Sequence, residues 1–176
     1  MTLTTLFNEA RTATRLGSDR PEILAPQPNL LPVVRELPAD LETPVSVYLK
    51  LAGQGPSFLL ESITGGEQVA RYSFIGVHPS RAFIFRNGHF EDHHNAAVQR
   101  EAMPTGQDPL DILRRELSAY RPVSLPGLPR FSGGLVGYLA YDTVRFYEPT
   151  LHLEPHANLP DALMLLADTV VAFDHA

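Results

Sequence analysis

Two small polar clusters flank one predicted turn in this chain. In "FLLESITGGEQVARYSFIG", residues 58–76, Glu61 and Ser62 stand where one apolar run ends, and Arg71, Tyr72 and Ser73 open the next. A carboxylate beside a hydroxyl can hold an ammonium group, and Arg71 or Ser73 can meet a carboxylate. Leu59, Leu60, Phe74 and Ile75 supply apolar surface alongside. An apolar wall with a few converging polar groups is what an amino-acid-sized ligand needs. The plainer reading is a hairpin in which Ser62 satisfies a turn through its hydroxyl, and spacing alone favours it.

Other constellations carry less. His89, Glu91 and His93 alternate along a predicted strand and would share one face, as a Zn²⁺ site requires. The stretch "NGHFEDHHN" is polar throughout, however, so a solvated hairpin face is preferred. The glycines of "SGGLVGY" lack a following Gly-Lys-Ser/Thr and the G-x-G-x-x-G spacing, so a bulge or the close approach of another backbone explains them better than phosphate. Ser73, His78 and Asp92 could be assembled into a triad on paper, but no strained G-x-S-x-G elbow is present. Asp108 and Asp111 are explained by helix capping and the helix dipole. The residues by themselves therefore assign no catalytic group and no metal ligand.

The elements that must position these groups follow from periodicity and punctuation. Leu3, Leu6, Phe7, Ala10 and Ala13 recur at helical spacing and predict an amphipathic helix over 3–16, stopped by Gly17. Prolines at 21, 26, 28, 32, 38 and 44 favour extended chain, with "PVVREL" as a short edge strand. "PVSVYLKLA" fits a short helix or a strand equally. "SFLLESI" and "VARYSFIGV" read as strands joined through Gly65-Gly66, and Asn87-Gly88 marks a second hairpin. In "DPLDILRRELSAY", Asp108 caps a helix that begins at Pro109 and presents Leu110, Leu113 and Leu117 on one face. "GGLVGYLAYD" predicts a strand, and "DALMLLADTVVAFD" another that is buried on both faces or nearly so. The mixture lacks strict βαβ alternation. It predicts an α+β fold, a largely antiparallel β-sheet packed with a few helices, as one domain over 1–176.

Composition narrows the function classes. The 176 residues include no cysteine, which removes disulfides, thiolate metal sites and cysteine nucleophiles. A formal charge of -6 with 14 Lys+Arg gives no footprint for nucleic acid. No apolar run is long enough for a membrane span, and the opening stretch lacks the pattern of a secretory signal. A cytoplasmic protein is the expectation.

Several long blocks together resemble the N-terminal region of anthranilate synthase component I, the chorismate-using subunit of tryptophan biosynthesis. They are "TPVSVYLKL", "FLLESITGGEQVARYSFIG", "FSGGLVGYLAYDTVRFYE" and "LPDALMLLADTVVAFDH". Ala70 departs from the glycine expected before "RYSFIG". Aminodeoxychorismate synthase component I, a close relative, shares parts of these blocks and is the alternative, with "LLES" favouring the anthranilate enzyme. The resemblance implies that the Mg²⁺-dependent, chorismate-binding machinery lies in a C-terminal region beyond this chain. It therefore implies no catalytic residue and no cofactor in these residues. It also implies a partial L-tryptophan feedback site at Leu60, Glu61, Ser62, Arg71, Tyr72 and Ser73, and a glutamine amidotransferase subunit as a partner of the complete enzyme. A stand-alone amino-acid-binding module acting on a separate catalytic chain is a second reading. With no element after it, the final apolar strand is expected to lie uncovered and to drive homo-oligomerisation.

Overall fold

Local capping and turn signals set the helices and hairpins of this chain, while pairing between distant segments sets the sheets. The computed structural model describes residues 2–10, 27–61, 71–148, 150, 151, 153 and 159–176. In chain order these hold β1 (Thr2–Ala10), β2 (Leu30–Pro38), α1 (Pro44–Leu51), β3 (Ser57–Leu60), β4 (Tyr72–Val77), β5 (Arg81–Arg86), β6 (His89–His94) and β7 (Ala97–Ala102). Then follow α2 (Pro109–Ser118), β8 (Gly134–Leu139), a 3₁₀ turn (Tyr141–Phe146), β9 (Ala162–Ala167) and β10 (Thr169–Asp174). The fold is α+β, as the sequence predicts. Its strands form two five-stranded sheets, ordered β2-β1-β10-β4-β3 and β7-β6-β5-β9-β8, and neighbouring strands are antiparallel throughout.

The run 162–174 is two strands rather than one. β9 lies between β5 and β8 in the second sheet and β10 between β1 and β4 in the first, with Asp168 alone between them. The expectation of an uncovered last strand fails here. Val170, Val171, Ala172 and Phe173 are at most 4% exposed, because β10 is central in its sheet. Ile75, Val171 and Phe173 form a core with Val47 of α1 and with Ala39. Exposed apolar side chains stand instead on the edge strand β2, at Leu31, Val33, Val34 and Leu37. β2 carries Pro32 and Pro38, which an edge strand tolerates.

The predicted N-terminal helix is also corrected. Thr2–Ala10 is a strand, paired along its length with β2 and over six residues with β10. Three threonines within this segment favour extended backbone, and two neighbouring strands supply its hydrogen bonds. Residues 11–16 of that prediction lie outside the described residues.

The hairpin and capping signals hold. Asn87 and Gly88 have φ of 52° and 72°, the left-handed pair that a two-residue turn between β5 and β6 demands. Thr43 and Asp108 each cap a helix reciprocally, with Ser46 and Asp111 bonding back to the cap. "PVSVYLKLA" resolves as helix α1. On α2 the buried residues are Pro109, Ile112 and Leu113, the last two against Phe83, Phe85, Phe90 and Ala162 of the second sheet. Leu110 is half-buried and Leu117 is 41% exposed, so the buried stripe is shifted from the one predicted. No helix among the described residues is long and apolar enough to cross a membrane.

Candidate functional site

β3 and β4 pair with Leu59 opposite Ile75 and Leu60 opposite Phe74. Residues directly opposite in an antiparallel pair share a face, and neighbours along a strand alternate. Leu60, Tyr72 and Phe74 therefore stand on one face. Ser73 and Ile75 stand on the other, toward α1. Of the predicted site residues, Leu60 and Tyr72 are thus on one side of the sheet and Ser73 on the other.

Leu60 is 44% exposed, and Glu61 follows it at the strand's end, also exposed. Ser62 lies outside the described residues. Tyr72 stacks on Phe74 with ring centroids 5.9 Å apart. Arg71 lies 4.9 Å above the Tyr72 ring and grips Asp174 through two bonds, Nε to Oδ1 at 2.8 Å and Nη2 to Oδ2 at 2.6 Å. Those bonds hold the Asp174 carboxyl below its ordinary range and push the guanidinium further up. The guanidinium is thereby committed to β10 and supports the tyrosine, rather than waiting for a ligand carboxylate. Ser73 is 1% exposed and its Oγ is hydrogen-bonded to His175 Nε2 at 2.8 Å.

The Leu60 face holds a side chain that the sequence reading missed. Phe131, from the loop before β8, meets Phe74 edge-on at 5.3 Å and Phe58 at 6.5 Å. Phe58 can lie flat over β4 only because residue 76 is glycine; a Cβ there would stand 2.0 Å from its ring. Tyr72, Phe74, Phe131 and Phe58 make a continuous aromatic wall beside Leu60 and Glu61.

The other candidates disperse. His89 Nδ1 turns to the Asn87 carbonyl at 2.9 Å, and Glu91 is shared between His93 at 3.2 Å and Arg100 at 3.7 Å. Among the described residues no group of three or more His, Asp or Glu side chains is placed to hold a metal ion. The glycine run shows the close approach predicted for it. A Cβ on Gly137 would lie 1.9 Å from the Leu163 carbonyl oxygen of the neighbouring strand. Asp108 and Asp111 are spent on the cap of α2.

These features define a class, an α+β protein of two antiparallel sheets with an aromatic, carboxylate-flanked wall on one of them. Comparison with known proteins is more specific. The chain is 43% identical over 150 residues to anthranilate synthase component 1 of Pseudomonas putida, covering 84% of this chain and 30% of that protein. It is 43% identical over 152 residues to a probable anthranilate synthase component 1 of Schizosaccharomyces pombe, with 84% and 27% covered. A crystal structure of anthranilate synthase component I from Streptococcus pneumoniae superposes with a TM-score of 0.43 at 26% identity, over 77% of this chain and 28% of that one. No protein-family model matches. The chain belongs to the anthranilate synthase component I family and corresponds to its N-terminal region. It spans about 30% of the length of the curated relatives it matches.

Proposed function

We propose that this chain is the regulatory and structural N-terminal part of an anthranilate synthase component I, acting in cytoplasmic tryptophan biosynthesis. It carries one wall of the L-tryptophan feedback site. A chorismate-binding catalytic region supplies the other wall and the chemistry, from chorismate and glutamine or ammonia to anthranilate and pyruvate, with a glutamine amidotransferase subunit as partner. The Mg²⁺ of that reaction finds no suitable cluster among the described residues, so no step is assigned to it here.

The observation that carries this reading is the aromatic wall ending at Leu60 and Glu61, in a chain 43% identical to its relatives. The indole packs on Leu60 and Tyr72, and Glu61 with Ser62 meets the ammonium. Arg71 positions Tyr72, and Ser73 locks β4 to His175 from the opposite face. Ligand binding is coupled to catalysis by favouring one arrangement of the two regions. Self-association through the exposed apolar edge of β2 belongs to the same proposal; a sharp monomer in light scattering at micromolar concentration removes that part.

The chain contains no tryptophan, so added L-tryptophan is the only indole in the sample. Its fluorescence anisotropy should rise as protein is titrated in, and Ser62→Ala or Glu61→Gln should weaken the rise. The measurement is made alone and with the relatives' catalytic region supplied in trans. No rise under either condition rejects the feedback assignment.

A further inference from the structure

The joint between the two sheets encloses a cavity of about 510 Å³, within the size range of small-molecule sites. It is formed where β2 of the first sheet meets α2 and the β9 end of the second. Asn29 ties these parts together, donating from Nδ2 to the Ala119 carbonyl and accepting from the Arg121 amide. Leu30, Pro32, Leu117, Pro122, Leu166 and Ala167 make the walls apolar. The glycine pair of "SGGLVGY" lies along one side, with both φ values at 140°, a backbone conformation that side chains rarely adopt.

Ionised side chains gather at one side of this cavity. Arg81 lines it and donates to Asp92 at 2.5 Å, Glu116 at 3.1 Å and the Tyr120 hydroxyl at 3.1 Å. Its charge is thus answered by Asp92 and shared with Glu116, which also pairs with Arg115. Asp168, the single residue between β9 and β10, lines the same cavity, and its buried Oδ1 has no hydrogen-bond partner. A carboxylate oxygen removed from water without a donor is costly, and a cation nearby offsets that cost. Arg81 is the one Lys or Arg among the described lining residues, and its guanidinium is already paired with Asp92 and Glu116.

We propose that this cavity binds a monocationic amine with an apolar body, its ammonium held by Asp168 and its body by the Leu117–Leu166 walls. Zwitterionic amino acids are disfavoured, since no unpaired Lys or Arg among the described residues lines the cavity to meet their carboxylate. The site is separate from the aromatic wall and does not rest on the tryptophan reading. Asp168 is also where the chain passes from one sheet to the other, so occupancy at this joint bears on both sheets.

The test uses the full chain with tryptamine as the probe, read by indole anisotropy, and indole-3-propionate as the acid control. Tryptamine should saturate and indole-3-propionate should not. Asp168→Asn, which keeps the shape and removes the charge, should weaken tryptamine by about tenfold or more, the loss expected for a charge-assisted hydrogen bond. Leu117→Phe, which narrows the cavity from α2, should weaken it without touching Asp168; thermal melts followed by circular dichroism confirm that each variant folds. Failure of tryptamine to saturate the wild type overturns the proposal. So does undiminished binding to a folded Asp168→Asn or, if that variant unfolds, to Leu117→Phe. Loss of tryptamine binding in Glu61→Gln with none in Asp168→Asn would move the amine to the aromatic wall and overturn it as well.

Discussion

Gly76 and Gly137 are both needed by close contacts, and the contacts differ in a way that predicts different costs. Neither has a positive φ, so alanine is acceptable to the backbone and only space decides. At Gly137 a Cβ would stand 1.9 Å from the Leu163 carbonyl oxygen and 2.8 Å from the Met164 Cα, both backbone atoms of β9. Ordinary contact begins near 3.4 Å, so β8 must move by more than an ångström across six paired residues. Overpacking that shifts backbone costs about 1–3 kcal/mol, and this case belongs at the top of the range. Alanine returns at most about 1 kcal/mol through the unfolded chain, which leaves a net loss of about 2 kcal/mol. At Gly76 the obstacle is the Phe58 ring, at 2.0 Å, and a ring can rotate away. The cost there is the edge contact between Phe58 and Phe131, about 0.5–1.5 kcal/mol. Urea midpoints at matched slopes measure both. Gly137→Ala should lose about 4–8 °C in thermal midpoint and Gly76→Ala, with the same return through the unfolded chain, about 2 °C or less. In a Phe58→Ala background, Gly76→Ala should become neutral or better. A Gly137→Ala protein within about 0.5 kcal/mol of wild type, the ordinary scatter of surface changes, would refute the argument from backbone contact.

Three further outcomes follow from charge and capping. Arg81→Met leaves Asp92 without its ion pair and Glu116 with Arg115 alone; the two carboxylate side chains are 16% and 21% exposed, so a loss of about 2 kcal/mol in urea unfolding is expected, below the 3–5 kcal/mol of a fully buried pair. Asp108→Ala removes the side-chain half of the α2 cap, leaving its backbone N–H to Asp111, and should cost about 1 kcal/mol by the same assay, with Asp108→Asn restoring most of it. Arg71 holds the folded Asp174 carboxyl below its unfolded value, so that contribution is complete above about pH 4 and is lost as pH falls through the lower folded pKa. Asp174→Asn should flatten this part of an acid titration followed by circular dichroism, and superimposable curves would refute the pairing.

The features legible in the sequence were those whose cause is local. Asn87-Gly88 needs only its own two dihedrals, and Asp108-Pro109 only the first turn of its helix. β1 was misread because Leu3, Leu6, Phe7 and Ala10 fit a helical stripe, while its strand state depends on pairing with β10, more than 150 residues away. The run 162–174 reads as one strand because its near-uniform apolarity carries no mark of a change of sheet; Asp168-Thr169 was the only interior break in it. Within the candidate site, one error was avoidable. Tyr72 and Ser73 are neighbours on a strand and could not both face one ligand. Phe131 was not avoidable in that way, since nothing in its own segment says which sheet it will meet.

That distant phenylalanine bears on how the site works. Phe131 leads into β8 of the second sheet, yet its ring is set between Phe58 and Phe74 of the first. The aromatic wall is therefore an inter-sheet contact, and so is the cavity at Asp168, where β2 of one sheet faces β9 of the other. A ligand at the cavity touches groups from both sheets and, if its affinity depends on their mutual placement, must shift that placement. The peptide through Asp168 and the Asn29 bonds to Ala119 and Arg121 limit how far such a shift can go. Packed sheets move as units because their interiors are dense and stiff. A small displacement at the Tyr72–Phe131 wall would thus be carried along β10 and β9 rather than absorbed locally.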